Sequence, residues 1–430
     1  MIMIQVEERK LPQHNSAIDK PFSAKKLYLH LSQHTGKPSR LIVKPQDKVK
    51  EGDLIAQSDG LISASLCSPA SGTIKGVVSF NHPVLRKSMA VVLEADGLEK
   101  AYPIDKTAVS LSNDVILDKI RNAGIVGMGG AAFPAYVKLK PPKPIDTLIV
   151  NGCECEPYLS CDYRLMVEKG DGVFKGVELV SKVISPKRVL FAIEENKPEA
   201  IKKFNRIISA KKYSLPSPRV VILPSRYPQG GEKQLIYVLT KRKVPLGGLP
   251  FDVGCLVHNV GTLYAIYEAV YCNKPLIERV VTFAGGALKE PKNILIKLGT
   301  TIKELFDSGV LEFKTEPAKI VYGGPMMGIA LRSLDYPVMK GTSGILFLTK
   351  DEIDTRKEDV CIRCARCVDS CPMELLPLEF VKKVKNEEYS SLNELYIKDC
   401  IECGACSFSC PAKIPIVHYI KIGKKYAVNS

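Results

Sequence analysis

No stretch of this chain approaches the eighteen or more apolar residues that a membrane span needs. No apolar segment follows the charged start Glu7-Glu8-Arg9-Lys10, so a secretory leader is not expected. Basic residues outnumber acidic ones by 61 to 46, a net charge of +15, yet no block of five or six like charges occurs. No basic patch is interleaved with aromatics either, which argues against nucleic acid. The excess charge then suits an anionic membrane face, an acidic protein partner, or a surface merely solvated by lysine. Also missing is any acid–base partner or metal-ligating histidine beside the paired carboxylates Glu154 and Glu156, so hydrolase chemistry has no support.

Cysteine, by contrast, is patterned. Eight of the fourteen fall in two copies of one run, Cys361-x2-Cys364-x2-Cys367-x3-Cys371-Pro372 and Cys400-x2-Cys403-x2-Cys406-x3-Cys410-Pro411. Such runs hold [4Fe–4S] clusters in bacterial ferredoxins, where the fourth cysteine of each run ligates the other cluster. The expected ligand sets are therefore Cys361, Cys364, Cys367 and Cys410 for one cluster, and Cys400, Cys403, Cys406 and Cys371 for the other. Zinc is the alternative, but four-cysteine zinc sites usually pair C-x2-C units across a longer gap. Thiolate ligands imply a reducing compartment, hence the cytoplasm. Cys153, Cys155 and Cys161 form a third group, C-x-C-x5-C, read as buried thiols.

Length suggests about three domains, and an apolar fraction of 45% supplies a core. Residues 27–100 read as short strands and turns, with a Lys-Glu-Gly-Asp turn at 50–53 and a Ser-Pro-Ala-Ser-Gly turn at 68–72. This portion looks like the barrel-sandwich fold of biotinyl and lipoyl carriers. Lys75, the nearest candidate for a carrier lysine, lies inside a strand, so the scaffold is expected without the carrier function. From about 106 the period changes. Ser112 caps a helix with Val115, Ile116, Ile120 and Ala123 on one face and Gly124 as its stop. Strands at 147–151, 189–193 and 220–223 then alternate with helical stripes, the pattern of an α/β domain with a mainly parallel sheet. Beyond 276, short strands flank a helix opened by the capping box Thr301-x-x-Glu304 and closed by Gly309, which suggests a β-grasp module. The expected organisation is 1–105 barrel sandwich, 106–275 α/β, 276–350 β-grasp and 351–430 two-cluster domain. Phe380, Val381, Val384, Leu392 and Leu395 should form helical spacer between the cysteine runs.

Gly124-Ile-Val-Gly127-Met-Gly129-Gly130-Ala-Ala-Phe133-Pro134 matches G-x-G-x-x-[GA] by letter, but a helix and not a strand precedes it. It is therefore not the ordinary dinucleotide fingerprint. Consecutive glycines still expose N–H groups that cradle a phosphate or admit a flat ring. Lys138 follows, then Asn151-Gly-Cys-Glu154-Cys-Glu156-Pro157 at a strand end, Tyr227-Pro-Gln-Gly230-Gly231-Glu232 and His258-Asn259-Val-Gly-Thr262. In order and spacing these four segments resemble the FMN- and NADH-binding subunit of respiratory complex I. Together with the barrel-sandwich start, the β-grasp module and the two cysteine runs, they resemble still more closely the RnfC family of the Rnf electron-transport complex. The likeness covers roughly residues 20–415. Met128 and Cys153 depart from complex I, which has arginine and aspartate there.

The resemblance implies that Gly127, Gly129, Gly130 and Lys138 line a flavin and nucleotide crevice. It implies that Asn151, Glu154 and Glu156 contact the flavin ring and nicotinamide ribose, an i,i+2 pair of carboxylates on a strand end facing one way. Gly230, Gly231, Glu232, Asn259 and Thr262 would surround the FMN ribityl-phosphate. Phe133 and His258 are read as core or loop residues. No side chain is expected to be catalytic in its own right, because FMN converts the two electrons of a hydride into single electrons for the clusters. The implied assembly couples ferredoxin and NAD to Na+ or H+ transport. This chain would be its peripheral subunit on the cytoplasmic side, with the pumping subunits and, indirectly, ferredoxin as partners. A related cobalamin reductase, or an electron wire with an empty flavin fold, are the alternatives.

Overall fold

The structure, a computed structural model, describes residues 3–22, 24–98 and 100–427. Two small antiparallel sheets form the N-terminal barrel sandwich. One runs Lys26–His30, Arg86–Ala95, Gly72–His82, Lys48–Val49, the other Arg40–Leu41, Leu54–Gln57, Leu66–Cys67. Alternation drives them inward: Leu27 and Leu29, like Val91 and Leu93, share one face and are buried. Lys75 lies within a strand and pairs with Glu94 at 2.6 Å.

The β-grasp module supplies the other half of that core. Its strands lie in the order Lys292–Lys297, Glu278–Ala284, Gly344–Leu348, Lys319–Tyr322, Ile329–Leu331, with the two central strands parallel. Helix Ile302–Asp307 begins at Thr301, whose hydroxyl accepts from the Glu304 N–H at 3.2 Å. The reciprocal bond of a capping box is absent, because the Glu304 carboxylate accepts from the Lys25 N–H instead. Phe283, Ile294, Leu305 and Phe347 pack against Leu27, Ile55 and Leu93 in one cluster. Each such side chain contributes about 1.5–3 kcal/mol on full burial, so the two domains are one folding partnership.

The described residues before Lys26 reach beyond the two small sheets. Ile18–Phe22 adds a parallel edge strand beside Lys292–Lys297. Residues 3–17 before it run along the α/β domain, where Ile4 and Tyr227 exchange backbone hydrogen bonds of 2.8 and 2.9 Å.

The α/β domain holds four parallel strands in the order Pro218–Leu223, Arg188–Glu194, Thr147–Gly152, Cys255–Asn259. In chain order that is 3-2-1-4, so strand order reverses between the first and fourth strands, and ligand crevices open at such switch points. Helix Asn113–Asn122 starts at Ser112 as expected. Its buried face, however, is Ile116, Leu117 and Ile120, while Val115 turns to solvent. The 24-residue helix Cys161–Ile184 packs on Val260–Tyr271 over the same sheet face.

In the C-terminal part, helices Pro377–Lys385 and Ile416–Tyr426 pack together through Phe380, Val384, Ile416 and Ile420. Leu392 is buried as expected of spacer, but only a short 3-10 turn, Ser390–Leu392, forms around it. Leu395 packs against the same cluster from a non-helical segment.

Candidate functional site

The glycine-rich segment closes on itself. The Gly127 N–H donates to the Phe133 carbonyl at 2.8 Å and the Ala135 N–H to Ile125 at 3.0 Å, leaving Met128–Ala132 as a projecting tip. That tip lies over the switch point. The Met128 N–H donates to Thr262 Oγ1 at 2.9 Å, and a side chain on Gly129 would stand 3.2 Å from Asn259 Cβ. Gly130, at φ +154°, has no atom of the described residues beyond its chain neighbours within 4 Å of where a Cβ would sit. Open space over the backbone N–H groups is what a flat ring or a phosphate requires.

The other expected residues converge here from separate elements. Lys138, on the short helix Ala135–Lys138, forms an ion pair with Glu232, the first residue of helix Glu232–Thr240. Asn151 Nδ2 donates to the Gly230 carbonyl at 2.9 Å, while its Oδ1 accepts from the Cys153 N–H at 3.0 Å. Gly231 is the N-cap of the 232–240 helix. Asn259 caps the helix at Val260 and also donates to Asp162 Oδ2 at 2.6 Å. Burial and the neighbouring Glu154 push Asp162 up to about 7. Asp162 joins the crevice residues through this bond to Asn259. His258 is a core residue, as expected, held neutral by burial with its pKa lowered to about 3. Its Nε2, like Gln229 Nε2 on the loop before Gly230, is buried with no partner among the described residues.

The two carboxylates do not face one way. The strand ends at Gly152, and the following loop turns them apart. Glu154 is buried and accepts from the N–H groups of Asp162 and Tyr163, at 3.0 and 3.3 Å, and from the Cys161 thiol at 3.2 Å. It thus satisfies the first turn of the long helix, where a negative charge is favourable. Glu156 accepts from the N–H groups of Met326 and Met327, at 3.1 and 2.8 Å, on a turn of the β-grasp domain. Lys10 holds the loop from behind. Its buried ammonium donates to the carbonyls of Glu154, Glu156 and Leu159 at 2.5, 3.0 and 2.6 Å. Burial lowers its pKa. Nothing in the sequence marked Lys10, because its partners are backbone atoms almost 150 positions away. Cys153 and Cys161 are buried thiols whose pKa values are raised by desolvation, and Cys155 is half-buried.

The cysteine runs fold into two groups. Cys371, Cys400, Cys403 and Cys406 line one small hollow together with Met373, Leu375, Phe380 and Ile420. Backbone N–H groups point at the sulfurs: Leu375 to Cys371 Sγ and Glu402 to Cys400 Sγ, both at 3.4 Å. Four thiols from two loops around an apolar hollow, with N–H donors to sulfur, fit a cubane cluster. Burial, and then the nearby thiols of Cys410 and Cys361, raise the pKa of Cys367, while Cys361 and Cys364 are exposed. One group is thus internal and the other lies at the surface.

The internal group adjoins the crevice loops. Tyr227 is buried and its hydroxyl donates to the Cys403 carbonyl at 2.5 Å. Tyr227, Cys403 and Ala405 share an apolar cluster with Cys155 and Met326. Gln234 Nε2 reaches Met373 Sδ at 3.1 Å.

These features are matched domain by domain among known families. Residues 3–98 match the RnfC barrel sandwich hybrid domain, 120–268 the Nuo51 FMN-binding domain, and 360–414 the 4Fe-4S dicluster domain. Fold and site therefore define a flavin- and iron–sulfur-binding electron-transfer subunit. The chain is 47% identical over 378 residues to the C subunit of the proton-translocating ferredoxin:NAD(+) oxidoreductase complex of Clostridium ljungdahlii, covering 86% of this chain and 81% of that one. It is 39% identical over 368 residues to the C subunit of the Na(+)-translocating ferredoxin:NAD(+) oxidoreductase complex of Acetobacterium woodii, covering 84% and 81%. The chain belongs to this family, the RnfC subunits of ion-translocating oxidoreductase complexes. It spans about half the length of the Pseudomonas aeruginosa relative, the C subunit of an ion-translocating oxidoreductase complex, with 41% identity over 410 residues, 93% of this chain and 52% of that one. A crystal structure of an NAD+-reducing [NiFe]-hydrogenase shares the fold, with a TM-score of 0.53 and 17% identity over 75% of this chain and 64% of its own.

Proposed function

We propose that this chain is the NAD(H)-reacting subunit of a membrane-bound ferredoxin:NAD+ oxidoreductase, seated on the cytoplasmic side against the ion-translocating subunits. Ferredoxin then exchanges electrons with it only through a partner subunit. FMN, when bound, supplies the conversion between a hydride and single electrons, and two [4Fe–4S] clusters carry those electrons. The residues present fit both groups. Gly127, Gly129 and Gly130 offer N–H groups and open space. Lys138 and Glu232 close one side of the crevice, and Asn151, Gly230, Gly231, Asn259 and Thr262 line its floor. Glu154 and Glu156 enter this reading as the residues that hold the wall in shape, since their oxygens are already taken by backbone donors. Cys371, Cys400, Cys403 and Cys406 would hold the internal cluster, and Cys361, Cys364, Cys367 and Cys410 the surface one.

The observation that carries the reading is the contact between crevice and thiols. Tyr227 belongs to the loop that leads into Gly230 and Gly231, and it bonds directly to the backbone of Cys403. A crevice built for a flat two-electron group therefore abuts a site built for a one-electron group. Anaerobically purified protein should contain about eight iron atoms and one FMN per chain. NADH should bleach the cluster absorbance. Asn151→Ala should weaken that bleaching at least tenfold with iron content unchanged, and normal reduction of this variant would remove the crevice assignment.

A further inference from the structure

The hairpin Gly72–His82/Arg86–Ala95 outgrows the sheet it belongs to. Its neighbouring strand pairs only as far as Ala90, opposite His30. The ladder continues beyond, through Ser79–Met89, Phe80–Ser88, Asn81–Lys87 and His82–Arg86, as a two-stranded ribbon. Two-stranded ribbons are marginal by themselves, yet this one is braced. Phe80 stacks on Tyr28 with ring centroids 3.9 Å apart, and Asn81 Nδ2 donates to the Asp335 carbonyl at 3.1 Å.

The tip itself is built around one histidine. His82 is buried, and its Nε2 bonds to the Ser32 carbonyl at 2.9 Å. Its Nδ1 accepts from the N–H groups of both Val84 and Leu85, at 3.1 and 3.0 Å. The bond at Nε2 fixes that nitrogen as the donor and leaves Nδ1 free to accept. The consequence is a rigid turn that presents two aliphatic side chains outward, Val84 at 67% and Leu85 at 52% exposure. Met89, half exposed, lies two residues from the exposed Lys87 and so on the same face of its strand. From Gly72 to Leu93 the ribbon carries Lys75, Arg86 and Lys87 and no carboxylate. Lys75 is already paired with Glu94, which leaves Arg86 and Lys87 for an outside partner.

A scaffold that rigidly exposes apolar side chains, with cations directly behind them that make no ion pair among the described residues, matches one kind of surface best. Apolar residues enter the boundary between headgroups and acyl chains, and basic residues meet the phosphates there. We propose that the Asn81–Lys87 tip docks this chain on an anionic phospholipid bilayer, Val84 and Leu85 entering the interface while Arg86 and Lys87 meet lipid phosphates. This contact needs neither flavin nor clusters, so it stands or falls separately from the redox reading.

The chain has no tryptophan, which makes the test direct. In the full-length holoprotein, Leu85→Trp places one indole at the tip, and Leu246→Trp, at an exposed position in the α/β domain, serves as control. Vesicles rich in phosphatidylglycerol should shift the emission of Leu85→Trp to shorter wavelength, and brominated lipid should quench it. The control should not respond. Replacing Arg86 and Lys87 by glutamine should lower vesicle partitioning on the order of tenfold, and Val84→Asp with Leu85→Asp should lower it at least as much. Retained iron and FMN content would confirm that these surface variants fold. An unchanged spectrum at position 85, an equal response at position 246, or binding only to vesicles that contain membrane proteins would overturn the proposal, the last in favour of a protein partner.

Discussion

Glu156 holds a carboxylate where water reaches it poorly, between the crevice loop and the Met326–Met327 turn, and burial pushes its pKa from 4.5 up to about 7. The two backbone donors pull the other way but do not compensate. Between these two pH values the folded chain holds a proton that the unfolded chain releases. Stability from this group is therefore greatest in acid and declines as pH rises through the window. Discounted for residual solvent screening, the loss is ~1–2 kcal/mol. Glu156→Gln removes the titration, so its melting temperature should vary less between pH 5 and 8 than that of the parent chain. An identical pH profile for both proteins would show that the carboxylate is not buried as described. Glu154 behaves differently, since all its partners lie on the first turn of one helix. Glu154→Ala should cost about 1–2 kcal/mol in denaturant unfolding, the usual scale for losing a helix cap.

At the scale of elements, the tightest junction is a turn against a turn. Gly404, between Cys403 and Cys406, has φ +81°, and a Cβ there would sit 2.5 Å from the Met326 carbonyl oxygen. Gly324 would place its Cβ 2.2 Å from Glu156 Oε2. One β-grasp turn is thus wedged between the crevice loop and the internal thiol loop, and glycine makes both contacts possible. Gly404→Ala carries backbone strain and a backbone clash together. Iron content should fall from about eight towards four per chain while FMN is retained, and full iron occupancy would show that the turn can move away freely. None of this was legible from the sequence. The periodic elements were: the apolar runs at 147–151, 189–193 and 220–223 lie inside the strands 147–152, 188–194 and 218–223, and Ser112 and Thr301 cap the helices expected of them. The fourth strand, Cys255–Asn259, holds only three apolar residues before His258 and Asn259, too short a run to read as a strand. The edge strand Ile18–Phe22 has a mostly exposed pattern, and its place depends on a partner more than 270 residues away. The glycine tip, Lys138, Asn259 and Thr262 could be gathered by resemblance to one crevice. The orientation of Glu154 and Glu156 could not, because it is set by N–H donors from other elements.

For the whole molecule, what matters is that the two thiol groups are not equivalent. One borders the crevice through Tyr227 and Cys155, and the other opens to solvent through Cys361 and Cys364. Val360 and Ile362, exposed at 80% and 68%, flank that opening and would be costly to leave uncovered in an assembled complex. Single-electron traffic between NAD(H) and an outside carrier should then depend on the two groups in different ways. Cys364→Ala damages only the outer set, so iron should fall towards four per chain and NADH should still bleach the absorbance that remains. Reduction of an external one-electron protein acceptor should slow at least tenfold. Cys403→Ala removes one of the four inner thiols at the crevice side, and there iron should fall by the same amount while NADH-driven bleaching of the remainder slows. Rapid-mixing absorbance measurements on the two variants, each assayed for iron, separate the cases. Equal bleaching rates in both would mean that electrons reach the outer thiols without passing the inner ones, and the serial arrangement would have to be abandoned.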